Sequence, residues 1–279
     1  MNTISKILQQ KRDNFTCALI PFITAGYPNI NLTIDLLYAL SNEGADAIEI
    51  GIPYVDSLAD GPLIQKASKV ALKNGIYIDQ VLSMLYKLNG QLKIPIIIFT
   101  YYNPILVKGI SQFIKELSYV GVQGLIIPDL PIEETDYLIY LCKIYSIELI
   151  LFIAPTSSFS RISNILAKAP GCVYLLSSTG VTGLRNKINS EIINLSSYIS
   201  SKTNKLIMLG FGISNANQVS KISNWNIDGL VIGSAFTNII SKYDFMSTNL
   251  EKLSMNKILL EEVSLFCSNM KSAIIIKDF

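Results

Sequence analysis

Short apolar runs rich in β-branched residues alternate with segments of helical period along the whole chain, and this alternation restricts the fold most strongly. Eight of the runs are predicted to be strands. They are Cys17–Thr24, Asp46–Ile52, Pro95–Thr100, Gln123–Ile127, Glu148–Ile153, Cys172–Leu176, Lys205–Leu209 and Gly229–Ile232. Because a parallel strand pair needs a crossover, usually a helix, this order predicts a parallel sheet of the α/β class.

Helix signals fill the spaces between the strands, and several end at a glycine, such as Gly44, Gly90 and Gly121. The longer step from the second to the third strand has room for an extra helix, and residues 250–272 predict a closing helix. Eight strand–helix units in ~250 residues match a (β/α)8 TIM barrel. No linker divides the chain, so we expect one TIM-barrel domain over residues 1–279 with extra helices. The alternative is an open doubly wound sheet, but no G-x-G-x-x-G follows the first strand.

Composition excludes several classes of site. The 279 residues contain no histidine, so Ser-His and Cys-His nucleophile pairs and His-ligated metal sites are excluded. A net charge of +2 argues against nucleic acid or an anionic membrane as a partner. The cysteines are far apart and predict buried thiols in a reducing compartment. Without an export signal or a run long enough to span a bilayer, the expected location is the cytoplasm or the plastid stroma.

The second strand carries a carboxylate on its inner face. Period-2 alternation places Ile48, Ile50 and Ile52 outward, toward the helices, and turns Glu49 and Gly51 into the barrel. Burying a carboxylate costs several kcal/mol unless it is paired or its pKa rises. A structural Glu49 paired with an inward lysine or backbone amides is possible, but few basic residues occur in these strands, which favours catalysis.

The loop after this strand adds two more carboxylates, Asp56 and Asp60. Asp60 precedes Gly61 and Pro62, so it is equally suited to accept hydrogen bonds at a helix start or to act as an acid–base group. A carboxylate-only mechanism needs a second group of this kind beside Glu49. Asp56 is predicted to be solvated.

Small-residue turns follow the last three strands and predict a site for an anion. They contain Gly183, Gly212, Gly233 and Ser234. Exposed backbone N–H groups and a helix start suit a phosphate, and barrels commonly hold one at the last two strands. The aromatic residues Phe22, Tyr174 and Phe211 near the strand ends could wall a pocket for a flat ring or belong to the core.

Nine collinear segments resemble the tryptophan synthase α subunit family. They are PFITAGYP (21–28), GADAIEIGIP (44–53), LADGPLIQ (58–65), TYYNPI (100–105), PDLPIEE (128–134), IAPTS (153–157), YLLSSTGVTG (174–183), GFGIS (210–214) and GSA (233–235). Together they span nearly the whole chain, which is far more specific than any one motif.

The resemblance implies a TIM barrel that cleaves indole-3-glycerol phosphate into indole and glyceraldehyde 3-phosphate by a retro-aldol step. It implies no metal or cofactor in this chain. It also implies a β subunit that carries pyridoxal phosphate, joins the indole to serine and assembles with the α subunit as an α2β2 tetramer.

The resemblance also implies a role for each matching residue. Glu49 would be the main acid–base group and Asp60 would lie near the indole nitrogen. The residues that would bind substrate are Phe22, Tyr174, Thr182, Gly183, Phe211, Gly212, Gly233 and Ser234. Closure of the loop that carries Thr182 would exclude water. The residues that would contact the β subunit are Asp56, Asn103 and Pro104.

Two other interpretations stay open at this point. One is a weakly catalytic subunit that mainly activates the β subunit, and the other is a barrel that acts on a different sugar phosphate. The chain also departs from the family pattern, with Tyr54, Val55 and Ser57 where Phe, Ser and Pro are usual. Loss of the proline predicts a less rigid loop and a changed fit to the β subunit.

Overall fold

Eight parallel strands form a closed barrel in chain order. The structure is a computed structural model that describes residues 2–176, 191–210, 212–243 and 249–277. The strands are β1 (Ala18–Thr24), β2 (Ile48–Gly51), β3 (Ile96–Phe99), β4 (Gly124–Ile126), β5 (Glu148–Ile153), β6 (Cys172–Leu176), β7 (Leu206–Gly210) and β8 (Gly229–Ile232). Strand β1 pairs with both β2 and β8, which closes the ring. The predicted barrel is confirmed, and the open sheet is excluded.

Helices surround the barrel. Those in the described part of the chain are α1 (Thr3–Asp13), α2 (Ile30–Asn42), α3 (Pro62–Lys73), α4 (Ile78–Leu88), α5 (Tyr102–Lys108), α6 (Ile110–Tyr119), α7 (Thr135–Ile144), α8 (Phe159–Lys168), α9 (Glu191–Lys202), α10 (Ala216–Ser223), α11 (Ser234–Ser241) and α12 (Asn249–Ser272), with a 3-10 turn at Ile132–Glu134. The extra helix between β2 and β3 and the closing helix are confirmed. A second pair, α5 and α6, follows β3; the helix that ends at Gly121, α6, was predicted, and α5 was not.

The helix ends follow the glycine signals in the sequence. Helix α2 ends just before Gly44 and α6 just before Gly121, and both glycines have positive φ, +88° and +82°. Residues with a Cβ rarely adopt this conformation, so glycine ends the helix and turns the chain toward the next strand. None of the helices in the described ranges is long and apolar enough to cross a bilayer.

The apolar core has two layers, as the period-2 pattern of β2 predicts. Ile48 and Ile50 pack outward with the helices, in the larger cluster. Ala47 packs inward with residues such as Ile97 of β3 and Ile126 of β4, in a second cluster inside the ring. Side chains therefore fill the barrel interior, and a site can form only where this filling ends.

At the amino-terminal ends of the strands, the barrel bottom, helix α1 supplies partners for a buried carboxylate. Glu148, at the start of β5, is fully buried. Its Oε2 accepts a hydrogen bond from the Ser5 N–H at 3.0 Å. Its Oε1 accepts from the Cys172 N–H at 2.9 Å and from the Ser5 hydroxyl. Each carboxylate oxygen therefore has a donor.

Asp228, a second carboxylate at the bottom, also has a hydrogen-bond donor for each of its oxygens. Arg12 of α1 donates two hydrogen bonds to Asp228, at 2.8 and 2.6 Å, and the Ile207 N–H donates a third at 2.7 Å. Bidentate pairing with a guanidinium is the strong form of this interaction. The first helix is therefore held against the bottom of the barrel by charge as well as by apolar contact.

The predicted buried thiols are confirmed. All of the cysteines are buried and free: Cys17, Cys142, Cys172 and Cys267. Burial raises the pKa of Cys17 to about 12 and that of Cys142 to about 12. Because the thiolate is the reactive form, these side chains are packed as small apolar groups.

Candidate active site

Glu49 lies inside the barrel near its top, the end where the strands finish. In the ladder its partners are Phe22 on β1 and Ile97 on β3. Its neighbours Ile48 and Ile50 face the helices, so alternation turns the carboxylate inward. The residue is only 1% exposed. The predicted inward orientation of Glu49 is confirmed.

The described part of the protein gives the Glu49 carboxyl group few polar partners. Its Oε2 is buried and has no hydrogen-bond partner among the described residues. No lysine or arginine of the described ranges forms an ion pair with it. Burial raises the pKa of Glu49 to about 8, and the nearby charge of Asp60 adds to this rise. The structural alternative, a permanently paired carboxylate, is not what the structure shows.

Asp60 reaches the same cleft from the loop between β2 and α3. It is 5% exposed, and burial raises its pKa to about 7, while a hydrogen bond with the Tyr101 side chain opposes the rise. The N-cap of α3 is Gly61, with Pro62 as the first helical residue. Asp60 therefore does not serve as the N-cap, which removes the main structural explanation for this carboxylate.

A cleft opens between these two carboxyl groups at the top of the barrel. Its lining residues are Phe22, Glu49, Asp60, Ile64, Phe99, Tyr174, Gly212, Val231, Gly233 and Ser234. Ile64, Phe99 and Val231 were not among the residues predicted from the sequence. Phe99 and Val231 lie on the inner faces of β3 and β8, so the alternation that identified Glu49 could have found them.

Glycines make room for the aromatic walls of the cleft. A Cβ at Gly51 would lie 2.6 Å from Cζ of Phe22, and one at Gly233 would lie 3.1 Å from Cδ1 of the same ring. A Cβ at Gly210 would overlap the Tyr174 hydroxyl. Side chains at these positions would push the rings into the cleft, so the glycines fix its width.

Part of the cleft wall is backbone that follows strands β7 and β8. Helix α11 starts at Ser234 with Gly233 as its N-cap, so the first N–H groups of the helix lack intrahelical acceptors. Gly212, after β7, lies at the same cleft. Gly212, Gly233 and Ser234 therefore line one cleft, and their binding of an anion stays a prediction. Thr182, Gly183 and Phe211 lie outside the described residues.

The residues expected to contact a β subunit lie on the outer surface beside the cleft. Asp56 and Asn103 are exposed and Pro104 is half-buried. The Asn103 amide donates a hydrogen bond to the Tyr54 hydroxyl at 3.2 Å, which joins α5 to the loop after β2. The Tyr54 ring packs on Tyr101, with centroids 5.3 Å apart.

This surface also carries exposed apolar side chains that the sequence analysis missed. Val55 is 65% exposed, Leu58 and Val107 are each 82% exposed, and Leu106 is 49% exposed. The Asn103–Tyr54 hydrogen bond joins the two segments that carry these side chains, and exposed apolar patches are typical of interaction sites. Within the described ranges, no group of three or more Asp, Glu or Cys side chains is placed to hold a metal ion.

The comparisons with known proteins agree with this geometry. The family model for the tryptophan synthase alpha chain matches residues 7–274. The chain belongs to the tryptophan synthase alpha chain family. The alpha chain of Gracilaria tenuistipitata var. liui is 57% identical, with 98% of this chain and 97% of that protein covered. The alpha chain of Antithamnion sp. is 53% identical over 99% of this chain and 100% of that protein.

A solved structure supports the same fold. A chain of Mycobacterium tuberculosis tryptophan synthase superposes with a TM-score of 0.87 at 24% identity, covering 100% of this chain and 99% of that one. As a member of the tryptophan synthase alpha chain family, the protein is a carbon–carbon lyase of tryptophan biosynthesis. Its reaction releases indole and glyceraldehyde 3-phosphate from indole-3-glycerol phosphate.

Proposed function

We propose that Glu49 and Asp60 are the two acid–base groups of this cleavage. The observation that carries the proposal is that both carboxyl groups are buried in one cleft, and that Oε2 of Glu49 has no partner among the described residues. A protein retains an unpartnered buried carboxyl group at a cost of several kcal/mol. Such a group suits a site where a substrate supplies the missing partner.

The raised pKa of Glu49, about 8, keeps its proton at neutral pH, so this group can act first as an acid. It delivers the proton to C3 of the indole ring, the carbon that bears the glycerol phosphate chain. Protonation there leaves positive charge at the ring nitrogen. The Asp60 carboxylate, placed at the ring nitrogen, accepts its N–H hydrogen bond and stabilises this charge.

Cleavage then uses Glu49 as a base. Its carboxylate removes the proton of the glycerol hydroxyl next to C3. The electrons of that O–H bond form the aldehyde C=O, the C–C bond breaks, and its electron pair returns the ring to neutral indole. One proton leaves Glu49 and one returns, so the side chain ends as it began.

The rest of the cleft suits the two ends of the substrate. Phe22 and Tyr174 wall the part of the cleft where the flat ring would lie, and we assign Phe211 the same role. The N–H groups at Gly212, Gly233 and Ser234 would bind the phosphate, together with Gly183. Thr182 would close the cleft from the adjoining loop.

Indole release from indole-3-glycerol phosphate tests the acid–base assignment. Glu49→Gln and Asp60→Asn should each lower kcat by at least ~100-fold, the scale of a lost acid–base group. Asp56→Asn is the matched control, because it makes the same chemical change at an exposed position of the same loop. Full activity of Glu49→Gln would refute the assignment. A chain that stimulates a β subunit but cleaves nothing would instead be an activator.

We also propose that a β subunit binds the surface formed by Asp56, Asn103 and Pro104, in an α2β2 tetramer. The exposed apolar side chains Val55, Leu58, Leu106 and Val107 on the same surface support this assignment. The pyridoxal phosphate of the assembly would belong to the β subunit, and this chain would need no cofactor of its own. We assign residues 1–279 to one domain, and the red algal relatives favour the plastid stroma or the cytoplasm.

Calorimetric titration of this chain with the β subunit of a relative tests the docking surface. Leu58→Asp should weaken the complex at least ~10-fold, since it places a charge in an apolar contact. Leu265→Asp, on the exposed side of α12, is the control and should leave the affinity unchanged. Equal affinities for the two variants would place the interface elsewhere.

A further inference from the structure

Asp60 is buried although its loop is among the more exposed parts of the molecule. Two residues before it, Leu58 is 82% exposed, and Val55 is 65% exposed. Asp60 itself is 5% exposed. An exposed loop does not hold a buried carboxyl group in one place unless specific bonds fix its backbone.

Gln65, in the first turns of α3, supplies two such bonds. Its side-chain amide donates to the backbone carbonyl of Asp60 at 3.0 Å and to that of Ser57 at 3.2 Å. The Ser57 carbonyl also accepts the Asp60 N–H at 3.1 Å. One amide group therefore closes the turn 57–60 against the helix that follows it. Both N–H hydrogens of the amide can be used in this arrangement.

Tyr101 holds the same loop from the side of the barrel. Its hydroxyl accepts the Ala59 N–H at 3.1 Å and forms a hydrogen bond with the Asp60 side chain. Tyr101 lies beside the cleft in the inner cluster, whereas Gln65 is half-buried in α3 and does not line the cleft. The side-chain bonds of Gln65 can therefore act on the reaction only through the loop that carries Asp60.

We propose that Gln65 is a positioning residue, which holds the Asp60 carboxyl group at the indole nitrogen by binding the carbonyls of Asp60 and Ser57. This inference rests on the proposed role of Asp60. Without the two bonds, the turn 57–60 loses its link to α3, and the carboxyl group moves between the cleft and water. A displacement of about 1 Å can lower a rate by ~100-fold.

Gln65→Met tests the inference, because it keeps the length of the side chain and removes both donors. We expect kcat for indole release to fall about 10-fold to 100-fold and KM to change less than about threefold. Gln65→Glu should be worse, because a carboxylate would face two carbonyl oxygens. Gln112→Met is the matched control, since Gln112 is exposed on α6 and bonds only to Glu116 among the described residues.

A second measurement separates positioning from a general loss of stability. Labelling the aspartate carboxyl carbons with 13C allows the Asp60 resonance, assigned with Asp60→Asn, to be titrated. The titratable groups around Asp60 are Glu49, Tyr101 and Tyr174. Burial raises the pKa of Asp60 to about 7, so a released carboxyl group should titrate at lower pH in Gln65→Met.

The outcomes are distinguishable. If Asp60→Asn loses activity and Gln65→Met shows both the lower kcat and the lower Asp60 pKa, the inference holds. If Asp60→Asn loses activity while Gln65→Met keeps the wild-type kcat and Asp60 titration, Gln65 is not a positioning residue. If Gln65→Met lowers only the melting temperature, its role is structural. If Asp60→Asn is fully active, the proposed function itself is wrong.

Discussion

Two buried glutamates on the strands of this barrel differ in how their carboxyl groups are hydrogen-bonded, one at the bottom and one at the top. Glu148, at the bottom, is fully buried and receives hydrogen bonds from Ser5 and Cys172 on both of its oxygens. Glu49, at the top, is 1% exposed and has an oxygen without a partner among the described residues. Burial is nearly equal, so burial alone does not distinguish a catalytic carboxylate from a structural one.

The difference comes from what covers each end of the barrel. Helix α1 lies against the bottom, and its Ser5 and Arg12 reach Glu148 and Asp228. At the top, a cleft opens instead, and in the proposed function a substrate supplies the missing partner of Glu49. Satisfied polar groups stabilise and unsatisfied ones cost free energy, so selection for stability alone would not retain the top arrangement.

The largest expected effect is on turnover. Glu49→Gln should lower kcat for indole release by ~10² to ~10⁴-fold, because the acid–base group is lost. Glu148→Gln makes the same substitution at the bottom and should leave kcat within about threefold, since that residue does not line the cleft. Steady-state assays of the two folded variants are sufficient. Comparable losses of kcat in the two variants would contradict the assignment of chemistry to the top carboxyl group and of stability to the bottom one.

The next effect is on the pH dependence of stability. Glu49 has a folded pKa of about 8 against an ordinary value of 4.5. Between these two pH values the unfolded chain loses the Glu49 proton while the folded chain keeps it. The favourable contribution of Glu49 to the free energy of unfolding is therefore complete below pH 4.5 and is lost as the pH rises toward 8. The stability of Glu49→Gln relative to wild type should rise by on the order of 3 kcal/mol across this window. Urea unfolding at several pH values measures it, and a constant difference would contradict the raised pKa.

Removal of the Glu148 hydrogen bonds should lower the stability of the protein, by less than Glu49→Gln raises it. Glu148→Gln places an NH2 group against N–H or O–H donors, so at least one buried bond is lost at a cost of about 2 kcal/mol. Glu133→Gln is the control, because Glu133 is exposed and forms only a 3.5 Å contact with Arg161 among the described residues. Chemical denaturation should show a lower midpoint for Glu148→Gln alone. Equal midpoints would mean that the bottom carboxylate is not structural.

The sequence predicted the barrel well because its signal is repeated along the chain. The predicted strand Glu148–Ile153 matches β5, and the prediction for the second strand, Asp46–Ile52, exceeds β2 by two residues at one end and one at the other. Alternation then gave the inward direction of Glu49, since a strand offers only two faces. These inferences needed no knowledge of distant residues.

Other features could not be read from the sequence, because they depend on contacts between remote segments. Nothing near Glu148 in the chain shows that Ser5, 143 residues away, supplies its donors. The sequence suits Asp60 equally to a helix start and to catalysis, and only the structure shows that Gly61 is the N-cap of α3 and that Asp60 contacts Tyr101. The roles of both cleft carboxylates stay predictions until the variants are measured.

The smallest expected effect concerns one hydroxyl group at the bottom. Ser5→Ala removes the hydroxyl donor to Glu148 and leaves the Ser5 and Cys172 N–H donors in place. Because Oε1 keeps one partner, the free energy of unfolding should fall by only about 1 kcal/mol, less than for Glu148→Gln. Ser201→Ala, which removes an exposed hydroxyl bond to the Tyr198 carbonyl, should cost less than about 0.5 kcal/mol. A loss in Ser5→Ala as large as in Glu148→Gln would show that the hydroxyl, rather than the backbone donors, holds the bottom carboxylate.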